Sequence, residues 1–353
     1  MIRTFLTIDD PRWTQCHAST VSPDGRVAAW FAGTREGTPD NRIVLWRDGT
    51  TTVLDTGHDA AHWNPVLADG PDGQLWLFCK VGPRISEWRT LVTRSDDGGA
   101  TWEPARELVP GDASGGRGPV RTPPLLTADG LWLAGASVER WGAPPRWDPF
   151  VDVSTDARTW ERAEIPVDRA GLRGAGHIQP SLWAGRSGVV ALMRSTEGHA
   201  YRSTSPDGRS WTPAEPTGLP NNNSGLAAVA LPSGRVACVH NPSSDDWGSR
   251  CPLTISVSDD DGLTWRAALV VDDGRTPVDE SVPHDASADP GGFAPGDAGV
   301  VTSGVGEYSY PTAVVRGDEL VVTYTWQRRG IVLARLPVAV LEADLGRLDG
   351  SAG

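Results

Sequence analysis

The sequence has 353 residues, with 32 Lys and Arg against 45 Asp and Glu, so its formal net charge is -13 at neutral pH. A chain this acidic repels phosphate backbones and anionic lipids, which excludes a nucleic acid or a membrane surface as a general partner. Its 4 cysteines have neither the spacing of a disulfide framework nor that of a zinc site, so we expect no metal and no cofactor.

The N-terminal segment "MIRTFLTIDDPRW" lacks the apolar region of a signal peptide, and we therefore expect a cytoplasmic protein. Behind it, a turn followed by a short apolar strand occurs six times. The copies are "SPDGRVAAWF", "PDGQLWLFCK", "TADGLWLAGA", "GRSGVVALMR", "PSGRVACVHN" and "VRGDELVVTY". Short strands repeated in this way predict an all-β fold, a six-bladed β-propeller that occupies residues 1–353 as one domain. A Gly/Pro/Asp-rich stretch at 272–304 is expected to be a loop inserted before the last blade.

A second repeat ends in tryptophan and occurs four times. Its copies are "SDDGGATW", "STDARTW", "SPDGRSW" and "SDDDGLTW", which end at Trp102, Trp160, Trp211 and Trp265. A calcium loop would need a closing Glu, which the first copy lacks. Gly permits a turn with positive φ, Asp and Ser accept backbone N–H groups, and Trp is large enough to fill the seam between two blades. The repeat is therefore expected to be scaffold.

These copies resemble the Asp-box, the bacterial neuraminidase repeat of the sialidase superfamily, and the resemblance covers about residues 55–336. It implies Asp-boxes on the rim, away from an active site on the propeller axis. It also implies three arginines that hold a carboxylate, a tyrosine nucleophile paired with a Glu, and an Asp acid/base. The chain is more similar to uncharacterised bacterial sialidase-like proteins than to true neuraminidases.

Three positions match the family's motifs. "SRCPLTISVSDDDGLTW" resembles a segment with a triad arginine before an Asp-box, which implies that role for Arg250. "VVALMRSTEGHAYRSTSPDG" resembles another arginine-bearing strand and implies Arg194. "GEYSYPTAV" resembles the segment with the nucleophile, which implies Tyr308. Arginine suits this site because its planar donors bind a carboxylate bidentately, although both arginines could instead pair with acids between blades.

Other positions depart from the family. "HWNPVL" has Asn64 where the family has an arginine, and "GHIQPSLW" has Gln179 where the family has the Glu that activates the tyrosine. Gln179 cannot accept a proton, whereas His177 nearby can. Glu87 is the acid nearest to the expected acid/base position. We expect Arg194, Arg250, His177, Gln179 and Tyr308 to line one central cavity.

Further polar residues stand at equivalent positions of other blades. "GRGPVRTPPLL" brings Arg121 to the third blade, and "ASVER" ends that blade's apolar strand with Glu139. "LPNNNSGLAAV" places Asn222 before an apolar strand of the fifth blade, where its amide suits a sugar hydroxyl or simply forms a turn. Glu139 joins the catalytic candidates, and Arg121 and Asn222 join the candidates for substrate binding.

Three functions are compatible with these residues. The first is an exo-acting glycoside hydrolase on a terminal acidic or polar sugar of a small glycoside or oligosaccharide, with Arg194 and Arg250 holding an anion and Tyr308 at the reacting centre. The second is a uronate lyase in which His177 or Tyr308 removes a proton. The third is a propeller that binds a glycan without catalysis. The sequence leaves the oligomeric state open.

Overall fold

A computed structural model of the chain describes residues 1–282 and 306–343. These residues form six four-stranded antiparallel sheets arranged as the blades of a β-propeller, as predicted. A strand of seven residues, β1 (Ile2–Ile8), precedes the first complete blade. Helix is confined to α1 (Ala339–Glu342) and two 3-10 turns, Ile85–Glu87 and Arg169–Gly171, within the described part of the chain. No helix there is long and apolar enough to span a membrane.

The strands of each blade follow one another from the axis outward. Blade 1 contains β2 (Gln15–Val21), β3 (Val27–Gly33), β4 (Arg42–Arg47) and β5 (Thr50–Val53). Blade 2 contains β6 (His62–Asp69), β7 (Leu75–Val81), β8 (Arg89–Ser95) and β9 (Arg106–Glu107). Blade 3 contains β10 (Leu125–Leu126), β11 (Trp132–Arg140), β12 (Arg146–Ser154) and β13 (Glu161–Glu164). Blade 4 contains β14 (His177–Gly185), β15 (Gly188–Ser195), β16 (His199–Ser205) and β17 (Glu215–Pro220).

The two remaining blades close the ring. Blade 5 contains β18 (Ala227–Ala230), β19 (Val236–His240), β20 (Leu253–Ser258) and β21 (Arg266–Asp272). Blade 6 contains β22 (Tyr308–Arg316), β23 (Glu319–Trp326) and β24 (Gly330–Pro337), with the N-terminal β1 as its outermost strand. The hydrogen bonds between β1 and β24 thus close the ring, because they join the N-terminal strand to the last strand of the chain in one sheet. Of the predicted 272–304 insertion, residues 283–304 lie outside the described residues.

The two sequence repeats occupy equivalent places in the blades. The predicted glycines form the turn between the first and second strands, with φ of 70° at Gly25 and 86° at Gly234, a region that favours glycine. The Asp-boxes join the third and fourth strands of blades 2 to 5 at the same end of the propeller. In the first box, Asp97 accepts hydrogen bonds from the backbone nitrogens of Ala100 and Thr101, both at 2.9 Å. The box is a structural turn.

The apolar core consists of clusters that lie between adjacent blades. The box tryptophans take part in them, as predicted: Trp211 of blade 4 packs with Leu133 and Val151 of blade 3. Trp160 of blade 3 packs with Phe78 of blade 2 in the same way. Burying large aromatic side chains against the next blade stabilises the ring, because each contributes a large apolar area.

A β-bulge interrupts the first strand of several blades at one equivalent position. The register shifts between Trp63 and Val66, and the bulged residue Asn64 has a φ of 37°. Gln179 in blade 4 and Tyr310 in blade 6 show the same shift, with φ of 57° and 51°. A bulge inserts one residue and re-aims a side chain, so these three positions depart from the simple alternation of a strand.

Candidate active site

A cavity of about 580 Å³ opens at the end of the propeller where the first strands begin and the second strands end. This is the face opposite the Asp-boxes. Its wall is rich in aromatic side chains, namely Trp63, Trp88, Trp141 and Trp247. Polar groups from several blades share the lining, and they include Glu36, Asn64, Glu139, Gln179, Arg194 and Tyr310. Such a concave site with a few convergent polar groups is typical of a small-molecule site.

The bulged residues provide part of the polar lining. Asn64, Gln179 and Tyr310 are each less than a tenth exposed and all line the cavity. Each is followed by proline in the sequence, and proline fits the bulge because it has no N–H group to pair. Gln179 was expected in the cavity and lies there, and Asn64, a candidate for substrate binding, lies there too, while the roles of both stay predictions.

Arg194 lies near the end of β15 and connects the lining groups. Its Nη1 donates to the hydroxyl oxygen of Tyr310 at 2.9 Å and to Oε1 of Gln179 at 3.4 Å. Its Nε donates to Oδ1 of Asn223 at 3.0 Å. All three partners are neutral, and the side chain is only 3% exposed. Arg194 thus belongs to the cavity, as predicted, but its hydrogen bonds fix neighbouring side chains.

Glu139 provides a buried carboxyl group at the cavity wall. It stands near the end of β11 and is 5% exposed. Burial raises its pKa to about 7, against a smaller opposing effect of the charge of Arg194 and a hydrogen bond with Trp141. The negative charge of Glu36 raises the pKa further. A carboxyl group that keeps its proton near neutral pH can act as a general acid.

Tyr308 does not reach the cavity, which corrects its predicted place at the reacting centre. It is fully buried, and its hydroxyl accepts a hydrogen bond from Nε2 of Gln327 at 3.1 Å. Burial raises its pKa above the ordinary tyrosine value. The bulge at the start of β22 turns Tyr310, two residues later, toward the axis instead. The segment "GEYSYPTAV" therefore reaches the cavity through Tyr310 and not through Tyr308.

Arg250 is buried behind the cavity rather than in its lining. Its Nη1 forms an ion pair of 2.5 Å with Oε1 of Glu307. The other oxygen of Glu307 pairs with Nε of Arg328 at 3.0 Å, and Arg328 in turn pairs with Glu36 at 2.5 Å. These two cations hold the pKa of Glu307 well below its usual range despite its burial. Arg250 therefore pairs with an acid between blades, which is the alternative that the sequence left open. Its partner, Glu307, was not anticipated from the sequence.

Arg121 crosses the propeller axis beneath the cavity and is 1% exposed. Its Nη1 donates to the carbonyl of Ser19 at 3.2 Å and to Oγ1 of Thr312 at 3.0 Å, and its Nη2 donates to the carbonyls of Tyr310 and Pro311. Burial lowers its pKa to about 10. Because its donors tie blade 3 to blades 1 and 6, Arg121 acts as a structural cross-link, in contrast to the predicted role in substrate binding.

Three further candidates also lie outside the lining of the cavity. His177 is buried and stacks on Tyr201 with ring centroids 3.8 Å apart, and burial lowers its pKa to about 4. Glu87 is exposed at the end of a 3-10 turn. Asn222 is buried and donates to the carbonyls of Gly248 and Ser249, so it serves the loop before β20. None of the three side chains therefore lies where its predicted catalytic or binding role would require it.

The tryptophans of the wall and Glu36 were not anticipated from the sequence. Trp63 and Trp88 of blade 2 lie with ring centroids 5.3 Å apart, and Trp141 and Trp247 come from the loops of blades 3 and 5, 6.2 Å apart. Trp63 lies in β6, but the other three tryptophans lie in loops, which carry no strand periodicity, so no sequence pattern signalled their convergence. In residues 1–282 and 306–343, no group of three or more His, Cys, Asp or Glu side chains is arranged to hold a metal ion.

The chain belongs to the family of BNR repeat-like domains, whose model matches residues 26–322. It shares its fold with a protein of unknown function from Dyadobacter fermentans, with a TM-score of 0.68 and 17% identity over 96% of this chain and 98% of that chain. For a Hadza microbial sialidase the TM-score is 0.70 with 14% identity, over 96% and 68%. For a Trypanosoma rangeli sialidase it is 0.60 with 14% identity, over 93% and 55%. No curated protein matches the sequence.

Proposed function

We propose that this protein is a glycoside hydrolase that releases a terminal sugar from a small glycoside or oligosaccharide held in the central cavity. The observation that carries the proposal is Glu139, a buried carboxyl group in the cavity wall with a pKa of about 7. Glycosidic bonds to a sugar or another alcohol break readily only when the leaving oxygen receives a proton, which this group can supply near neutral pH. The fold shared with sialidases supports the reaction class by analogy.

In the proposed reaction, the carboxyl group of Glu139 gives its proton to the glycosidic oxygen as the bond to the anomeric carbon breaks. The electron pair of that bond stays with the oxygen, so the leaving group departs as an alcohol. Water then adds to the anomeric carbon, and the carboxylate left on Glu139 takes up the proton that the water loses. Atoms and charge balance, and the enzyme returns to its starting form.

Tyr310 stabilises the positive charge that develops on the anomeric carbon. Its hydroxyl oxygen is held by Nη1 of Arg194 and needs no deprotonation for this role. That fits the presence of Gln179, which cannot act as a base. Preorganised dipoles aimed at a developing charge are an effective form of catalysis because they need no rearrangement during the reaction.

The uronate lyase finds less support. A lyase needs a base beside a bound carboxylate, and both groups considered for that role, His177 and Tyr308, lie outside the cavity lining. Glycan binding without catalysis becomes one outcome of the test below.

The test compares Glu139→Gln with the unchanged protein on glycosides whose leaving groups differ in acidity. An alkyl glycoside needs the proton, so kcat/KM should fall by roughly 10²–10⁴. A 2,4-dinitrophenyl glycoside of the same sugar needs no proton, so its cleavage should be nearly unaffected. The matched control is Glu87→Gln, because Glu87 is an exposed acid near the cavity but outside its lining. This variant should behave like the unchanged protein. Equal losses on both substrates would refute Glu139 as the acid, and no turnover of any glycoside would favour a binding protein.

A further inference from the structure

The three arginines around Tyr310 have largely committed their donors to the protein itself. The guanidinium carbons of Arg121, Arg194 and Arg250 lie 5.4, 5.9 and 5.2 Å from the centre of the Tyr310 ring. Arg121 donates to backbone carbonyls and a threonine hydroxyl across the axis. Arg250 is ion-paired with Glu307. Neither side chain lines the cavity, so neither offers a charged contact to a ligand there.

Arg194 lines the cavity, but its geometry does not suit a carboxylate. Bidentate binding requires two neighbouring nitrogens of the guanidinium that each have a free N–H group. Nε and Nη1 of Arg194 already donate to Asn223, Tyr310 and Gln179. Nη2 alone makes no hydrogen bond to any residue of the described ranges. A single nitrogen can hold one polar atom of a ligand, and this is enough for a hydroxyl group.

The remaining arginines of the lining stand at the rim and face acids. Arg140 pairs with Asp148 at 2.7 Å, and Arg84 lies 3.8 Å from Glu87. More than half of each arginine side chain is exposed, so water screens its charge. The rim therefore supplies little additional attraction for an anion.

The two acids of the lining do not attract a negative charge. Glu36 and Glu139 both line the cavity, and Glu36 is close enough to raise the pKa of Glu139. A carboxylated sugar would place its charge beside Glu36, whose own charge is paired with Arg328 at 2.5 Å, and beside the protonated Glu139, so this part of the lining offers it no attraction. By contrast, amides such as those of Asn64 and Gln179 pair with hydroxyl groups, and the tryptophans offer apolar faces.

We propose that the sugar bound in the central cavity is uncharged, and that it is recognised through its hydroxyl groups and its apolar ring face. This inference deepens the proposed function and rests on it for the identity of the cavity as a sugar site. It separates this protein from the carboxylate recognition that the resemblance implied.

Matched pairs of 4-nitrophenyl glycosides test the inference. Galactoside and galacturonide, and likewise glucoside and glucuronide, differ only in whether carbon 6 bears a hydroxyl or a carboxylate. An N-acetylneuraminide extends the panel. Binding is measured by calorimetry with Glu139→Gln, which is designed to hold the substrate uncleaved, and turnover is measured with the unchanged protein. We expect the neutral member of a pair to bind at least about tenfold more tightly and to be the one hydrolysed.

Separate readouts distinguish failure of this inference from failure of the proposed function. Tighter binding or faster cleavage of an acidic member, or binding of no compound in the panel, would overturn the inference. Preferential binding of the neutral member without turnover would sustain it and count against hydrolysis.

A designed change of charge gives a second, independent readout. Asn64→Arg adds a guanidinium to the lining and should shift the preference toward the acidic member, whereas Asn64→Gln changes length without charge and should leave the preference as it is. Melting temperatures show whether both variants fold. If folded Asn64→Arg left the ratio of affinities unchanged, charge at the cavity would not set the preference and the inference would fail.

Discussion

The hydroxyl oxygen of Tyr310 accepts a hydrogen bond of 2.9 Å from Nη1 of Arg194, which lies 116 positions earlier in the chain and two blades away. The propeller makes this contact possible because the strands nearest the axis bring distant segments to one place. The same arginine also fixes Gln179 and Asn223. The contact thus joins a bulged residue of blade 6 to the wall of blade 4.

Tyr310→Phe tests the catalytic part of this relationship. The change removes one hydroxyl, keeps the ring packed, and should lower kcat by roughly 10² or more if the oxygen acts in the transition state. Tyr308→Phe is the matched control, since it removes the buried hydroxyl that bonds to Gln327. That variant should lose about 1 kcal/mol of stability and keep its rate. Turnover and melting temperature are measured on both variants. If Tyr308→Phe lost its rate and Tyr310→Phe lost only stability, Tyr308 would be the reacting residue.

In the proposed mechanism, the proton on Glu139 makes the rate of cleavage dependent on pH. Burial raises the pKa of this group to about 7, and only its protonated form can act as the acid. We therefore expect kcat/KM for an alkyl glycoside to fall as the pH rises through about 7. For a 2,4-dinitrophenyl glycoside the same limb should be absent, since no proton is required. If kcat/KM fell in the same way for both substrates, a group other than Glu139 would cause the fall.

Glu139 should also make stability dependent on pH, with a sign that follows from linkage. Because its pKa is raised from 4.5 to about 7 on folding, the folded state binds more protons between these values. Stability therefore falls as the pH rises through this interval. Gln does not titrate, so the free energy of unfolding of Glu139→Gln should rise relative to that of the unchanged protein when the pH is raised from 5 to 8. The expected rise is up to ~3 kcal/mol, at about 1.4 kcal/mol for each pKa unit. Chemical unfolding at both pH values measures this; a constant difference would contradict the raised pKa.

The buried pair of Arg250 and Glu307 should matter for stability. Arg250→Ala leaves a buried carboxylate with one cation fewer, which typically costs about 3–5 kcal/mol. Arg209 and Glu161 form an exposed pair of 2.8 Å, so Arg209→Ala should cost less than about 1 kcal/mol. Free energies of unfolding from denaturant titrations make the comparison. If both variants lost a similar free energy of unfolding, the buried Arg250 pair would matter no more for stability than the exposed Arg209 pair.

The blade architecture could be predicted because its signals are local. Each turn glycine precedes an apolar strand, and each Asp-box completes its hydrogen bonds within a few residues. Six repeats of one pattern therefore identified six blades before any tertiary contact was known. The position of Glu139 could be inferred for the same reason, as the end of a repeated strand.

The side chains of the site could be predicted only in part, because their directions depend on bulges and on partners far away in sequence. Tyr308 and Tyr310 stand in the same short motif, and a bulge decides which of them faces the axis. Arg250 has the expected sequence context, but its guanidinium forms an ion pair with Glu307, which lies 57 positions later in the chain. Neither fact can be obtained from local spacing.

The central claim is that Glu139 and Tyr310 flank the bond that is cleaved. The measurement that tests it most directly is a crystal structure of Glu139→Gln with an uncleaved glycoside. We expect the glycosidic oxygen within about 2.6–3.2 Å of the side chain at position 139 and the anomeric carbon beside the hydroxyl oxygen of Tyr310. A glycoside bound elsewhere on the propeller, or bound in the cavity with its glycosidic oxygen far from position 139, would contradict the account.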